Sequence, residues 1–370
     1  HTVRHSFPTR RSSDLLEASF LGVMLFGWRR VGHGTHFFAT CMVALGTLIS
    51  TFWIISANSW MQTPAGYAIH DGELVPTDWW AAIFNPSFPY RLTHMVLAAF
   101  ITTAMVVGGV GAAYLRHGRF VEKARPMLKS ALGFLAIAVP LQMIVGDLHG
   151  LFVRDHQPAK LAAIESHWET GRDVPLILFA TPDEAAEANR YSVAVPHLGS
   201  LILTHSLDRE IVGLKDFPRE DRPPVAPVFF GFRVMVGIAL LMLALTVTGM
   251  VLWWRGRLFD TGWYLRLFTW LSPAGFVAVL AGWYVTEIGR QPWLVYGVMR
   301  RSEGFSGIPA ASVSVSLAAF LVAYSFIFGF GGWYLWKLIR TGPVAAPRHE
   351  PNATPARPLS VPDEPVEEAR

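Results

Sequence analysis

The chain has 370 residues, of which 52% are hydrophobic and only 16% are charged, and its mean hydropathy is +0.35. A soluble domain usually carries about a quarter charged residues, so this composition is typical of a protein embedded in lipid. A single cysteine, Cys41, excludes a disulfide framework and a cysteine-based metal site. The net charge is +4, and the basic residues follow membrane topology, which argues against a nucleic-acid-binding surface.

The first fifteen residues differ in character from the rest of the chain. Residues 5–15 (HSFPTRRSSDL) resemble the translation of a sequencing adaptor and lack the apolar core of a signal peptide. We interpret residues 1–15 as an artefact and expect the natural protein to have lost its true N-terminus before Leu16. The uncharged run 18–28 is too short to cross a bilayer and is interpreted as the inner half of a helix.

Six longer runs without Asp, Glu, Lys or Arg could each cross a hydrocarbon core about 30 Å thick. In chain order these runs are residues 37–55, 92–115, 130–146, 234–254, 267–286 and 306–336. The sequence therefore predicts an all-α, polytopic transmembrane helix bundle. Three full spans and the partial one lie in residues 16–146, and three more lie in residues 228–340.

Basic residues accumulate in alternate connections, as they do in loops on the cytoplasmic side of a membrane. The connection 56–91 holds a single basic residue, whereas the next one holds Arg116, Arg119, Lys123, Arg125 and Lys129. The orientation that fits places the C-terminus in the cytoplasm and the long polar segment 147–227 outside. Residues 341–370 are rich in Pro, Ala and Glu and are predicted to form a disordered cytoplasmic tail.

A histidine and a methionine fall at matched depth in two predicted spans. His94 is the only histidine inside a predicted span, and Met235 lies near the outer end of another, at a similar depth for a rise of about 1.5 Å per residue. Such a pair can ligate a low-spin, electron-transferring haem. Arg233 would be costly in lipid and could pair with a haem propionate. The alternative is a hydrogen-bonded packing histidine and a methionine that fills the core.

Two carboxylates lie near membrane depth, where they usually mark ion paths, proton relays or ligands. Glu17 precedes Arg29 by twelve residues, which places it about 18 Å from the cytoplasmic surface if the run is helical. Glu287 closes a predicted span and is followed one turn later by Arg290. For Glu287 an interfacial ion pair with Arg290 is an equally good interpretation, whereas for Glu17 a purely structural role is the weaker one.

The outer segment contains a short amphipathic stretch, KLAAIE, with Lys160 and Glu165 at its ends. Opposite charges beside apolar residues could hydrogen-bond a quinol headgroup. They could also form an ordinary solvated helix face, and the residues alone favour that second interpretation.

Five strings in order resemble subunit I of the cytochrome bd quinol oxidases. They are ANSWMQTP (57–64), GD (146–147), KLAAIE (160–165) with its trailing WET, IVGLK (211–215) and GRQPW (289–293). GRQPW is the most specific of them, and KLAAIE resembles the quinol-binding motif of the family's Q-loop. The resemblance covers nearly all of residues 16–342, and GRQPWLVYGVMR is most similar to the cyanide-insensitive branch with a short Q-loop.

The resemblance implies two haem sites within these residues. His94 and Met235 match the axial ligands of a low-spin haem b, with the arginine two residues before Met235 beside it. Glu287 matches the ligand of a high-spin haem b, with Trp283 and Arg290 in its surroundings. A third haem, of d type or a further b type, is expected at the oxygen site.

The resemblance also implies roles in quinol oxidation and proton transfer. Lys160 and Glu165 match the pair that contacts ubiquinol or menaquinol in a periplasmic Q-loop spanning 147–227. Glu17 matches an acidic residue on the proton path to the oxygen-reducing haem, with Ser50 and Asn58 near that path. Protons released outside and taken up from the cytoplasm would make turnover electrogenic without a pump.

The expected family architecture has nine spans, whereas this sequence shows six and a partial one. We therefore expect a truncated chain that lacks a histidine ligand and a glutamate of the oxygen site and does not reduce oxygen alone. The implied setting is a bacterial inner membrane, with subunit II and a small single-span subunit as partners.

Two other functions remain open from the residues alone. A haem b membrane anchor of a quinol-linked dehydrogenase would share His94 but would not need Glu287 or GRQPW. A proton-coupled transporter using Glu17 and Glu287 would bind no haem, although we find no inverted repeat in its favour. A chain cut within a helix could also fail to fold stably.

Overall fold

A computed structural model describes residues 8–27, 30–70, 72–304 and 307–343. Within these ranges, six helical segments are long and apolar enough to cross a membrane. They are His33–Gln62, Phe88–Arg116, Val121–His156, Arg219–Trp254, Gly262–Ile288 and Ala310–Thr341. The prediction of a helical bundle with six full spans is confirmed.

Short helices and three small hairpins connect the spans. The helices are α1 (Pro8–Phe26), α2 (His33–Gln62), α3 (Trp79–Ile83), α4 (Phe88–Arg116), α5 (Val121–His156), α6 (Pro158–Glu165), α7 (Leu198–Thr204), α8 (Val225–Trp254), α9 (Gly262–Leu271), α10 (Ala274–Ile288) and α11 (Ala310–Thr341). The antiparallel strand pairs are β1 (Tyr67–His70) with β2 (Glu73–Pro76), β3 (Leu176–Asp183) with β4 (Ala188–Val195), and β5 (Trp293–Val295) with β6 (Met299–Arg300).

Helix α5 is longer than the uncharged run that predicted it. The run ends at residue 146, but the helix continues through Asp147 and Arg154 to His156. Charge marks where lipid ends and not where a helix ends, so hydropathy alone could not give this boundary. His149 therefore also lies in a candidate span, and the prediction that His94 is the only histidine in one is wrong.

The predicted span 267–286 consists of two helices. Helix α9 ends at Leu271 and α10 begins at Ala274, with Ser272 and Pro273 between them. Proline has no N–H to donate and disfavours helical backbone at the residue before it, so the chain is interrupted here. The break leaves α9 free to pack against α4 on its own.

The largest hydrophobic core lies among α4, α5, α8 and α9. Its fully buried side chains include Met105, Leu132, Tyr264 and Phe268. Tyr264 donates a hydrogen bond to the carbonyl of Leu245 over 3.1 Å. A Cβ atom added to Gly249 would lie 2.0 Å from the Tyr264 hydroxyl, so only glycine allows α8 and α9 to approach so closely here.

Helix α6 starts at a proline, which is favourable in the first turn because its missing N–H needs no partner there. It ends at Ser166, whose left-handed backbone (φ 56°) lets its N–H bond to the carbonyls of Ala162 and Ala163. Every residue of this helix from Ala159 to Glu165 is buried. The interpretation of this stretch as a solvated helix face is therefore wrong.

By their contacts, residues 54–343 form one unit and the described residues up to Trp53 belong to another. In the unit that ends at Trp53, Phe20 and Phe38 make an edge-to-face contact with ring centroids 5.7 Å apart. The helix α1 includes residues 8–15, which we predicted to be an artefact, and that prediction stays untested. The predicted tail from residue 344 onward, and residues 1–7, lie outside the described residues.

Candidate functional site

His94 lies on α4 and faces α5. A Cβ atom added to Gly146 would lie 3.4 Å from His94 Cε1, an ordinary van der Waals distance, so the imidazole packs directly against α5. Among the residues that the structure describes, His94 Nδ1 is buried and has no hydrogen-bond partner. Buried polar atoms are normally hydrogen-bonded. The alternative of a packing histidine requires a hydrogen bond to the ring, and the buried Nδ1 makes none to the described residues. The structure therefore disfavours that alternative, and the imidazole fits a metal ligand.

Met235 lies on α8 and faces α10. A Cβ atom added to Gly282 would lie 2.9 Å from Met235 Sδ, so a glycine accommodates this side chain as well. The histidine and the sulfur thus rest against different neighbouring helices. Each of the two predicted ligands packs against a glycine of its neighbouring helix. Their pairing on one haem stays a prediction.

Glu287, at the end of α10, is the centre of a polar cluster. Its Oε1 accepts a hydrogen bond from Asn58 Nδ2 over 2.8 Å, and its Oε2 accepts from Arg290 over 2.7 Å. Asn58 Oδ1 in turn accepts from Arg91 over 2.6 Å. Burial lowers the pKa of Arg290, and Glu287 opposes that shift. Trp283 lies half-buried one turn before Glu287.

The Glu287–Arg290 ion pair of the interfacial alternative is present, with the Glu287 side chain 37% exposed. The Arg290 side chain is only 5% exposed, and its guanidinium has atoms that meet no partner among the described residues. A carboxylate held by an amide and a guanidinium keeps free lone pairs for a metal. The arrangement fits a haem-iron ligand.

Lys160 is fully enclosed by the protein. Its ammonium nitrogen lies 2.5 Å from Gln62 Oε1 and 2.5 Å from Gln157 Oε1, and Gln157 also donates to the carbonyl of Gln62 over 2.9 Å. Burial is the main reason why the pKa of Lys160 lies well below its usual value, and the charges of Arg91 and Arg290 lower it further. The lysine thus joins α6 to the end of α2.

Glu165 faces a different neighbour. It forms an ion pair of 2.7 Å with Arg233 of α8, and Arg233 also donates to the carbonyl of Ile177 over 2.8 Å. Five residues along a helix turn the side-chain direction by about 140°, which is why Lys160 and Glu165 do not share a partner. The structure therefore brings together Glu165 and Arg233, which the resemblance had placed in different sites.

Glu17 belongs to the unit that ends at Trp53. Thr47 of α2 donates a hydrogen bond to Glu17 Oε1 over 3.1 Å. Ser50 follows Thr47 by three residues on the same helix, so the two lie on adjacent turns. A hydroxyl bonded to a carboxylate is compatible with proton transfer, and this role stays a prediction.

Sequence reasoning missed several buried polar groups near these residues. The ring of His149 lies 5.9 Å from that of His94, measured between centroids. Gln62 and Gln157 hold Lys160, and Arg91 holds Asn58. A signal existed for Arg91, because it is the one basic residue in a connection otherwise free of them.

A family model described as cytochrome bd terminal oxidase subunit I matches residues 14–343, which include all six candidate spans. The chain belongs to the cytochrome bd terminal oxidase subunit I family. The members of this family are subunits of quinol:oxygen oxidoreductases in respiratory membranes, and we refer to the chain below as subunit I. The resemblance inferred from the five strings is confirmed, and the transporter and dehydrogenase-anchor alternatives lose their basis.

Similar proteins support the same conclusion. Subunit I is 29% identical to the cytochrome bd-II ubiquinol oxidase subunit 1 of Escherichia coli strain K12, over 91% of this chain and 79% of that protein. It is 33% identical to the cytochrome bd ubiquinol oxidase subunit 1 of Bacillus subtilis strain 168, over 84% of this chain and 68% of that protein. The solved bd oxidase of Geobacillus thermodenitrificans matches with a TM-score of 0.79 and 31% identity, covering 90% of this chain and 77% of that one.

Proposed function

We propose that subunit I is the haem-carrying, quinol-oxidising part of a terminal oxidase in a bacterial inner membrane. His94 and Met235 would hold a low-spin haem b, and Glu287 would ligate a high-spin haem b. The observation that carries this proposal is the buried Nδ1 atom of His94, which has no hydrogen-bond partner among the described residues. When bound, the haems, including a haem d or a further haem b, supply one-electron transfer and oxygen chemistry.

The protein groups around Glu287 would prepare it for its role. Asn58 and Arg290 each bond one carboxylate oxygen, which fixes the plane of the group. Trp283, one turn earlier on α10, would line the same side of the helix.

For the quinol we propose a site at α6, on the outer, periplasmic side of the membrane. Lys160 and Glu165 remain our candidates, although each is now bonded to a protein group. A quinol hydroxyl would have to replace a glutamine amide at Lys160, or Arg233 at Glu165. Burial lowers the pKa of Lys160, and its Nζ would donate a hydrogen bond to the quinol headgroup in place of one of these glutamines.

Replacing Lys160 with methionine should slow reduction of the low-spin haem by ubiquinol or menaquinol about tenfold or more, because a buried hydrogen-bond donor to the headgroup is lost. Methionine has a similar length but leaves two buried amide oxygens without a donor. Stopped-flow reduction under anaerobic conditions measures the rate. The matched control is Lys215→Met, since Lys215 lies in the same outer segment but forms an exposed pair with Glu169. An equal effect of both substitutions would contradict a specific role for Lys160.

The proton side of the proposal rests on Glu17. Replacing Glu17 with glutamine keeps the hydrogen bond from Thr47 but removes the exchangeable proton. In an oxidase containing subunit I, we expect oxygen reduction to slow and reduction of the low-spin haem by quinol to stay intact. Flow-flash and stopped-flow kinetics separate the two half-reactions, and equal loss of both would argue against a proton path at Glu17.

We further propose that subunit I works with subunit II, and with a small single-span subunit. Protons from quinol would leave on the periplasmic side, and protons for water formation would come from the cytoplasm, where the C-terminus lies. Turnover would then be electrogenic without a pump. The decisive experiment is anaerobic addition of ubiquinol or menaquinol to membranes carrying subunit I. A reduced b-type haem spectrum is expected, and the absence of any haem signal would overturn the proposal.

A further inference from the structure

A buried cluster of charge joins three helices in subunit I. We call it the arginine cluster, and it consists of Arg91, Asn58, Glu287 and Arg290. Arg91 comes from α4, Asn58 from α2 and Glu287 from the last turn of α10, and Arg290 lies two residues beyond the end of α10. Three hydrogen bonds of 2.6 to 2.8 Å connect its members in a line from Arg91 to Arg290.

The charges of the arginine cluster do not balance. Arginine stays protonated in proteins, so Arg91 and Arg290 contribute two positive charges against the single carboxylate of Glu287. Arg91 is only 9% exposed and Arg290 only 4%. The nearby Lys160 adds no anion. An uncompensated buried charge is strongly destabilising, so a further negative group is expected here.

Three donor atoms of the arginine cluster are unused. Arg91 Nε, Arg290 Nε and Arg290 NH1 are buried and meet no acceptor in the part of the chain that the structure describes. Arg233, the other arginine near the predicted haem, has both a carboxylate and a carbonyl as partners. The planar fork of a guanidinium matches the two oxygens of a carboxylate.

The position of the two arginines indicates which carboxylate fits. Arg91 lies three residues before His94 on α4, so both side chains point to one side of that helix. Arg290 likewise follows Glu287 by three residues. Each arginine is therefore one helical turn from a candidate iron ligand. A cofactor whose iron is bound by His94 or Glu287 would carry its acidic groups close to these guanidinium donors.

We propose that Arg91 and Arg290 form a receptor for a carboxylate of a haem bound in this bundle, that is, a propionate group. This inference rests on the proposed haem-binding function. Asn58 is a positioning residue of the receptor, because its amide oxygen accepts from Arg91 while its amide nitrogen donates to Glu287. Neither aspartate nor leucine can make both bonds.

The test compares haem with its dimethyl ester, in which both propionates are uncharged. Membranes from haem-depleted cells that carry subunit I with its partner subunit are loaded with either compound, and the bound fraction is read from the reduced-minus-oxidised spectrum. The native chain should retain the free acid about tenfold better than the ester, as expected for loss of one charged hydrogen-bonded contact. In Arg91→Gln this preference should fall to about twofold or less.

Arg222→Gln is the matched control, since Arg222 is also a largely buried arginine but is bonded to Glu187 and to the carbonyl of Phe217. It should keep the full preference for the acid. An unchanged preference in Arg91→Gln would overturn the receptor. If that variant fails to accumulate, Arg91→Lys keeps the charge but loses Nε and the fork, and it should lose most of the preference.

A redox titration gives an independent readout. A positive charge near a haem favours its reduced form, so Arg91→Gln should lower the potential of the His94-ligated haem by the equivalent of about a tenfold change in the oxidised-to-reduced ratio, or about 59 mV. A potential in the native chain that follows the concentration of added phosphate would instead identify an exchangeable anion and overturn the propionate assignment. If haem binds but the native chain retains the acid and the ester equally, the arginine receptor is refuted and the proposed function stands. If no haem binds at all, both the receptor and the proposed function are refuted.

Discussion

Replacing His94 with leucine is expected to abolish the low-spin haem b signal of membranes that carry subunit I. Leucine is similar in size but has no lone pair for a metal. His94 Nδ1 makes no hydrogen bond to the described residues, so the substitution breaks no bond of that atom within the protein. The loss of signal would thus report ligation and not a general loss of structure. A dithionite-reduced minus oxidised spectrum measures it, with the amount of chain checked by immunoblot.

Met235→Leu provides the second half of this test and should also remove the low-spin signal or convert it to a high-spin one. His197→Leu is the control, because His197 lies in the polar segment 147–227 and pairs with Asp173 at the surface. A low-spin spectrum that survives His94→Leu would exclude His94 as the ligand. His149, whose ring lies 5.9 Å away, would then be the first residue to replace.

Replacing Glu287 with glutamine is expected to remove the high-spin haem b and to destabilise the bundle. The substitution leaves Arg91 and Arg290 without their shared carboxylate. Breaking a buried ion pair costs about 3–5 kcal/mol, and the lower value of about 3 kcal/mol applies here because the Glu287 side chain is 37% exposed. Haem content by pyridine haemochrome and the midpoint of thermal unfolding in detergent measure the two effects.

The control for this second prediction is Glu303→Gln. Glu303 accepts a hydrogen bond from the backbone N–H of Arg300 at the surface and has no contact with the arginine cluster among the described residues. It should leave both haem content and the unfolding midpoint unchanged. A Glu287→Gln chain with a full complement of high-spin haem would show that another residue ligates that iron.

Hydropathy predicted the six spans because the exclusion of charge from lipid acts on each residue locally. The same local reasoning could not place the end of α5 at His156, since a helix continues past the lipid when its backbone bonds continue. Nor could it find the break before Ala274, where a single proline interrupts an otherwise uniform apolar run.

The candidate site was predictable in its residues but not in its pairs. His94, Met235 and Glu287 were named from depth and from the resemblance, and their roles as ligands stay predictions. The partner of Glu165 could not be predicted, since Arg233 lies 68 residues further along the chain and meets it only through packing of α6 on α8. The burial of Lys160 likewise depends on Gln62, a residue 98 positions away.

With the proposed quinol and haem sites occupied, the ion pair between Glu165 and Arg233 would couple quinol binding at α6 to the oxidation state of the haem at Met235. Arg233 is bonded to the helix of the proposed quinol site and lies two residues before Met235 on α8. A headgroup analogue that displaced Arg233 from Glu165 would move a positive charge relative to the proposed haem and change its potential. Linkage then requires the converse: reduction of that haem changes the affinity for the analogue by the same factor.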